Sequence, residues 1–215
     1  MKTQHTSLLR VLTFTLLMAA TLFSPAQAKT LTVALDISRS NPLFENSALN
    51  GLAANYIHSQ VKSLAINDVV SLRYVGSLND TKSVQKIEKT ITHNNKEIVT
   101  AMASQMVLGV AKHVKAHDST NLLAFFNRNQ FDCQSGGDIT ILTDGIEASE
   151  YVAPKKLLSG EIGLPKPSEF VKLKGCTVTF YGMGAMRSDA ELNRLRHQWY
   201  TFFKAAGATF KAIVL

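Results

Sequence analysis

Only two of the 215 residues are cysteine, Cys133 and Cys176, and no CxxC spacing joins them, so neither a thioredoxin-type redox motif nor a cysteine zinc site is supported. Neither sign of charge forms a run. The 23 lysines and arginines are spread among 16 acidic residues for a net +7, with lysines such as Lys62, Lys112, Lys155 and Lys172 reading as solvated faces. With no recognised nucleic-acid motif either, binding to DNA or RNA is not expected, whereas an acidic partner is compatible with the balance. Beyond residue 28 no segment approaches the roughly 20 apolar residues of a membrane-spanning helix. No Gly-x-Ser-x-Gly elbow, His-Glu-x-x-His helix or cysteine nucleophile occurs, and no histidine has an evident place beside a candidate nucleophilic serine, so no catalytic constellation is found. Internal repeats and low-complexity tracts are absent as well.

The N-terminus has the pattern of an export signal. Lys2 and Arg10 flank a short apolar stretch from Val11 to Phe23, and Ala26-Gln27-Ala28 supplies small residues at a cleavage point. We therefore expect residues 1–28 to be a cleaved signal peptide and 29–215 a single domain, periplasmic or secreted. No cysteine near the cleavage point invites lipidation. The mature chain keeps a net charge of +5, since the signal removes two basic residues and no acidic one. In an oxidising compartment an isolated even pair of cysteines reads first as a disulfide, Cys133 to Cys176, with two buried free thiols as the other reading.

Apolar runs and helical periodicities alternate along this domain. Leu31–Leu35 reads as a strand buried on both faces, followed by a helix from about Phe44 to Val61 and a strand over Asp68–Val75. Asn79-Asp80-Thr81 is placed to cap a helix carrying Val84, Ile87 and Ile91. A longer helix is predicted from Lys96 to Val114, its methionine stripe facing the core. His113 and His117, four apart near its end, could share a helix face for a metal, but nothing nearby completes a ligand set and exposed histidines are the preferred reading. A short helix from Asn121, a strand over Asp138–Thr143, mostly irregular chain over 150–174 with a short helix at Ser168–Lys172, and a strand over Thr177–Tyr181 follow. Ser188-Asp-Ala-Glu191 is a capping box opening a helix to Gly207, and Thr209–Leu215 is a last strand. Alternating strands and helices imply an α/β, doubly wound fold with a largely parallel central sheet covered by helices on both faces.

In such a sheet ligands bind beyond the carboxyl ends of the strands. Three predicted tips there carry oxygen: Asp36-Ile-Ser38-Arg-Ser40, Ser119-Thr120-Asn121, and Thr143-Asp144-Gly145. A loop offering an oxygen at every second residue can wrap a hard cation. Asp-x-Ser-x-Ser after a first buried strand, a Thr before a helix and Thr-Asp-Gly after a later strand together resemble the metal-ion-dependent adhesion site of von Willebrand factor type A domains. The resemblance spans nearly the whole mature chain in element order. It implies that Ser38, Ser40 and Thr120 hold the ion through hydroxyls, with Asp36 and Asp144 acting directly or through water. The ion expected is Mg²⁺, with Mn²⁺ or Ca²⁺ as alternatives, and it would engage an acidic residue of a partner protein.

Thr81 also precedes a predicted helix and competes with Thr120 for the third loop. Arg39, Glu147, Gly182 and Gly184 are expected to rim the site, with Glu150 nearby. Gly182-Met-Gly184 is not a dinucleotide loop, because Arg187 stands where a third glycine would be. Many relatives carry a helix after the last strand that couples the metal face to distant contacts. Here the sequence stops at Leu215, and a static metal face is expected. Two other readings stay open, a metal-dependent hydrolase and a metal-free scaffold of an envelope complex. The oligomeric state is not legible.

Overall fold

The computed structural model describes residues 27–77 and 85–215. The expected signal peptide, and the Asn79-Asp80-Thr81 and Val84 positions with it, lie outside the described residues apart from Gln27 and Ala28.

Six strands form one sheet: β1 (Thr30–Asp36), β2 (Val69–Val75), β3 (Lys86–Thr90), β4 (Asp138–Leu142), β5 (Thr177–Tyr181) and β6 (Thr209–Ile213), in the order β3-β2-β1-β4-β5-β6. All pairings are parallel except β2 with β3. The helices are α1 (Pro42–Glu45), α2 (Ser47–Lys62), α3 (Lys96–His113), α4 (Leu122–Arg128), α5 (Pro154–Ser159) and α6 (Asp189–Ala205). Alternation along β1 divides the core into two layers. Leu31, Val33 and Leu35 pack with Ala53, Ile57 and Val61 of α2 and Val99, Ala103 and Val107 of α3. Ala34 faces the other side, where Ile139, Ile141, Val178 and Phe180 meet Phe126 of α4, Leu157 of α5, and Leu195, Trp199 and Phe203 of α6. Helices thus cover both faces, as the strand–helix alternation implies.

Two expected helices are corrected. Residues 86–90 form the antiparallel edge strand β3, with Ile87 opposite Leu72 and Lys89 opposite Val70. The spacing of four between Ile87 and Ile91 does not discriminate, because an interval of four returns to one side of a helix and of a strand alike. Pairing with β2 decides, and Ile91 is then held by Asp68 and Asn67 backbone hydrogen bonds of 2.7 and 2.8 Å. The charges of Lys86, Glu88 and Lys89 suit an exposed edge. The second correction concerns 150–174, where the helix is α5 and Ser168–Val171 makes only a turn. Pro154 sits at the first turn of α5, where its missing N–H costs nothing, and Gly160 closes the helix at φ 81°.

The capping box on α6 is complete, with the Ser188 hydroxyl accepting from the Glu191 N–H and the Glu191 carboxylate accepting from the Ser188 N–H. Cys133 and Cys176 are joined in a disulfide immediately before β4 and β5, at the amino ends of these strands. Among the described residues no helix is long and apolar enough to cross a membrane.

Candidate metal centre

Strand order reverses between β1 and β4: the chain leaves β1 toward β2 and leaves β4 toward β5. Connections diverge there, so a crevice opens at the carboxyl ends of these two strands. Asp36 is the last residue of β1, and Asp144 lies two residues past the end of β4. Both are fully buried, as is Thr120.

Three loops meet over this crevice. The β1 loop is tied to the segment after α3 by hydrogen bonds from the His117 N–H to the Ile37 carbonyl (2.9 Å) and from the Arg39 N–H to the His117 carbonyl (2.8 Å). That segment is tied in turn to the loop after β4, since Thr120 and Ala148 exchange both backbone hydrogen bonds at 3.0 and 2.9 Å. Asn41 closes the floor, its side-chain amide donating to the Asp36 carbonyl at 2.8 Å and the Leu142 carbonyl at 3.1 Å, so one side chain bolts β1 to β4 below the loops.

Within this frame the Asp36 carboxylate is the hub. Oδ1 accepts from the Ser38 N–H at 2.9 Å and from the Thr120 hydroxyl at 3.5 Å, while Oδ2 accepts from the Thr143 hydroxyl at 2.7 Å. The Ser38 and Ser40 hydroxyls are 3.3 Å apart. Asp144 keeps one oxygen on the Ile146 N–H at 3.0 Å; its Oδ2 is buried with no hydrogen-bond partner. Burial pushes both aspartates above the usual carboxylate range. For Asp144 the push, reinforced by the charge of Asp36, reaches about 7. Desolvation penalises both carboxylates; the charge of Arg187 eases Asp144 in part, but among the described residues no salt bridge reaches either aspartate.

Asp36, Ser38, Ser40 and Thr120 are therefore brought together, and Asp144 is close enough to feel the charge of Asp36. Thr81 lies outside the described residues. Arg39 points outward and pairs with Asp118 at 3.3 Å. Glu147 is not at a solvent rim but fully buried: Oε2 accepts from the Leu123 N–H at the start of α4, Oε1 has no partner, and burial raises its pKa to about 7. Glu150 is exposed. Gly182 and Gly184 are buried, and the Gly184 N–H donates to the Asp144 carbonyl at 2.9 Å, which brings that loop onto the site. A side chain at Gly184 would need a positive φ of 68° and would place Cβ 2.5 Å from Leu192. His113 ends α3 and His117 lies beyond it, so the two do not share a helix face; the His117 Nδ1 accepts from the Ser77 N–H instead.

Sequence reasoning missed three contributors. Thr143 belongs to the quoted Thr-Asp-Gly motif, yet its hydroxyl anchors Asp36 and also accepts from the Gly145 N–H at 3.0 Å. Asn41, one residue past Asp-x-Ser-x-Ser, looks like an ordinary helix cap and is one, accepting from the Leu43 N–H while its amide group spans the strands. Trp199 donates its indole N–H to the Gly145 carbonyl at 2.7 Å, a contact between residues 54 apart that no local pattern announces.

Among the described residues no three His, Cys, Asp or Glu side chains converge as a ligand set. The donors here are two carboxylates and three hydroxyls. All are hard oxygens, suited to Mg²⁺ or a similar cation rather than to zinc.

No protein-family model matches the sequence, and no curated protein matches it. Among solved structures it is similar to a von Willebrand factor type A protein from Catenulispora acidiphila, at 14% identity over 87% of this chain and 39% of that one, with a TM-score of 0.46. It is likewise similar to proximal thread matrix protein 1 of the mussel byssus, at 13% identity over 87% of this chain and 44% of that one, again with a TM-score of 0.46. The chain spans less than half the length of either relative. The strand order, with its single antiparallel edge, is what assigns the doubly wound α/β fold of the von Willebrand factor type A and Rossmann kind.

Proposed function

We propose that the crevice between β1 and β4 is a metal-ion-dependent adhesion site, and that the protein is an exported binding module rather than an enzyme. Asp36, Ser38, Ser40, Thr120 and Asp144 would hold the ion, with Thr143 and Asn41 positioning them. One observation carries the reading: Asp144 Oδ2 is buried beside a second buried carboxylate and has no hydrogen-bond partner or salt bridge among the described residues, and the charge of Arg187 offsets only part of the cost of burial. An unmatched buried carboxylate oxygen is costly, and a divalent cation removes that cost. With only two carboxylates among its donors the ion would keep the electrophilic character needed to accept a carboxylate from a partner. That partner would present Asp or Glu at its contact surface, and the setting would be the periplasm or the cell exterior, where the disulfide is stable.

Calorimetric titration of Mg²⁺ into chelator-stripped protein tests the site. Wild type should bind one ion, and Asp36→Ala and Asp144→Asn should bind at least about tenfold more weakly. Equal heats from wild type and both variants would refute the assignment. Capture of partners with Mg²⁺ and with EDTA should recover different proteins.

A further inference from the structure

We propose that a second site, running along α4 and the 165–174 segment, binds an extended acidic peptide segment of a partner. Two hollows, of about 250 and 520 Å³, both reach Asn127 and Arg128 and so form one depression. Its size is in the range that holds ligands of many atoms rather than a lone anion. Arg128, Lys166, Lys172 and Lys174 line it, and no Asp or Glu does. All four cations are exposed, and among the described residues none is in an ion pair. The acids nearest in sequence do not reach the walls; one of them, Asp132, instead accepts from the Ser135 hydroxyl. Each hollow also carries a large exposed ring, Tyr151 at 71% and Phe170 at 68% accessibility.

The floor is fixed. Cys133, locked to Cys176, lines the larger hollow, and the buried Val171 and Phe202 line the smaller. Asn127, where the two meet, accepts from the Ser168 hydroxyl, which joins the end of α4 to the 160–174 segment. A groove between α4 and a disulfide-anchored wall is preformed, and that lowers the ordering cost of binding.

The chemistry selects the occupant. Lysine and arginine only donate, so the four cations call for acceptors on the ligand, while the amides of Asn129, Gln130 and Gln134 can also accept from its backbone N–H groups. Saccharide hydroxyls would find no carboxylate to accept from them. Single-stranded nucleic acid, which could stack bases on Phe131 and Phe170 in the larger hollow, is the competing occupant that the test below separates. A peptide alternating acidic and aromatic side chains answers every feature: carboxylates meet the four cations, rings pack on Tyr151 and Phe170, and backbone carbonyls meet the Asn127 amide.

Fluorescence anisotropy with a labelled peptide of alternating Glu and Phe, measured in EDTA to silence the cation site, tests the proposal on the disulfide-closed protein. The peptide should bind more tightly than its Gln/Phe counterpart and than an oligothymidylate of equal charge. The exposed double reversal Lys172→Glu/Lys174→Glu should weaken binding at least about tenfold, and Phe170→Ala should weaken it several-fold, with unchanged melting curves. Asp36→Ala should bind the peptide as wild type does, which separates this site from the cation crevice. Wild-type affinity in the double reversal, or tighter binding of the oligothymidylate, would overturn it.

Discussion

Replacing Asp144 with asparagine should stabilise the metal-free protein while destroying the proposed cation site. The carboxylate is fully buried, has one oxygen without a donor, and is lifted from 3.8 to about 7 by burial and by the charge of Asp36. A lift of roughly three pKa units is worth about 4 kcal/mol against the ionised form at pH 8, at about 1.4 kcal/mol per unit. Asparagine keeps an acceptor for the Ile146 N–H but puts an unpartnered amide where Oδ2 stood, which returns about 1–3 kcal/mol. A net gain of about 2 kcal/mol remains, or roughly 4–8 °C in Tm for a domain of this size. The sign depends on pH. Between the unfolded value of 3.8 and the folded value of about 7, the native state keeps a proton that the unfolded chain has released, so wild-type stability falls as pH rises through this window. Glu147, raised by burial to about 7, acts in the same direction, whereas the lowered Glu88 and Glu191 lie at the surface, where solvent screens them. Thermal melts in EDTA should therefore show wild type more stable at pH 5 than at pH 8, with a shallower slope for Asp144→Asn and the variant ahead only at the higher pH. Saturating Mg²⁺ should reverse the order at pH 8. A variant less stable than wild type at pH 8 in EDTA, or wild-type stability that rises from pH 5 to 8, would refute the reasoning.

Trp199 is the single tryptophan and hydrogen-bonds the residue next to Asp144, so its emission should change on Mg²⁺ addition to wild type but not to Asp36→Ala; an unchanged spectrum on saturated protein would contradict the coupling. Thr143→Val removes the hydroxyl from Asp36 at nearly constant volume and should cost about 1–3 kcal/mol in a denaturant melt and about tenfold or more in Mg²⁺ affinity, with Thr143→Ser restoring both. Reducing the disulfide, whose cysteines are 43 residues apart, should lower stability by roughly 4 kcal/mol in the chain-entropy model. Calorimetric Mg²⁺ affinity should nonetheless persist in the reduced protein below its melting point, because the bridge lies at the amino ends of β4 and β5.

The doubly wound sheet was legible because its central strands β1, β4 and β5 are short apolar runs buried on both faces. Asp36, Ser38 and Asp144 were legible for the same reason, since a residue just past a parallel strand falls in the one place where such a sheet presents side chains to a ligand. What failed was local inference where a distant partner decides. β3 owes its conformation to β2, across a segment that no residue of β3 encodes. Glu147 looked like a rim acid because it lies just past Asp144-Gly145, yet the loop folds back to place its carboxylate on the Leu123 N–H at the start of α4. The Asn41 bolt joins positions 101 residues apart, Asn41 and Leu142, that are adjacent only because β4 pairs with β1.

That bolt bears on how the site is held together. Two buried carboxylates repel each other and the unmet oxygen of Asp144 strains the crevice further, so a loosely held hollow would open to water without a cation. Here the loops are tied to one another by backbone hydrogen bonds at Ile37–His117, Arg39–His117 and Thr120–Ala148, and to the sheet by Asn41, none of which uses a proposed ligand oxygen. The frame and the proposed ion-binding groups are thus separate sets of atoms. Electrostatic cost falls on the ligands and geometric restraint on the frame, so the oxygens stay converged when the ion leaves. A preorganised crevice of this kind would bind the proposed ion without first having to be assembled.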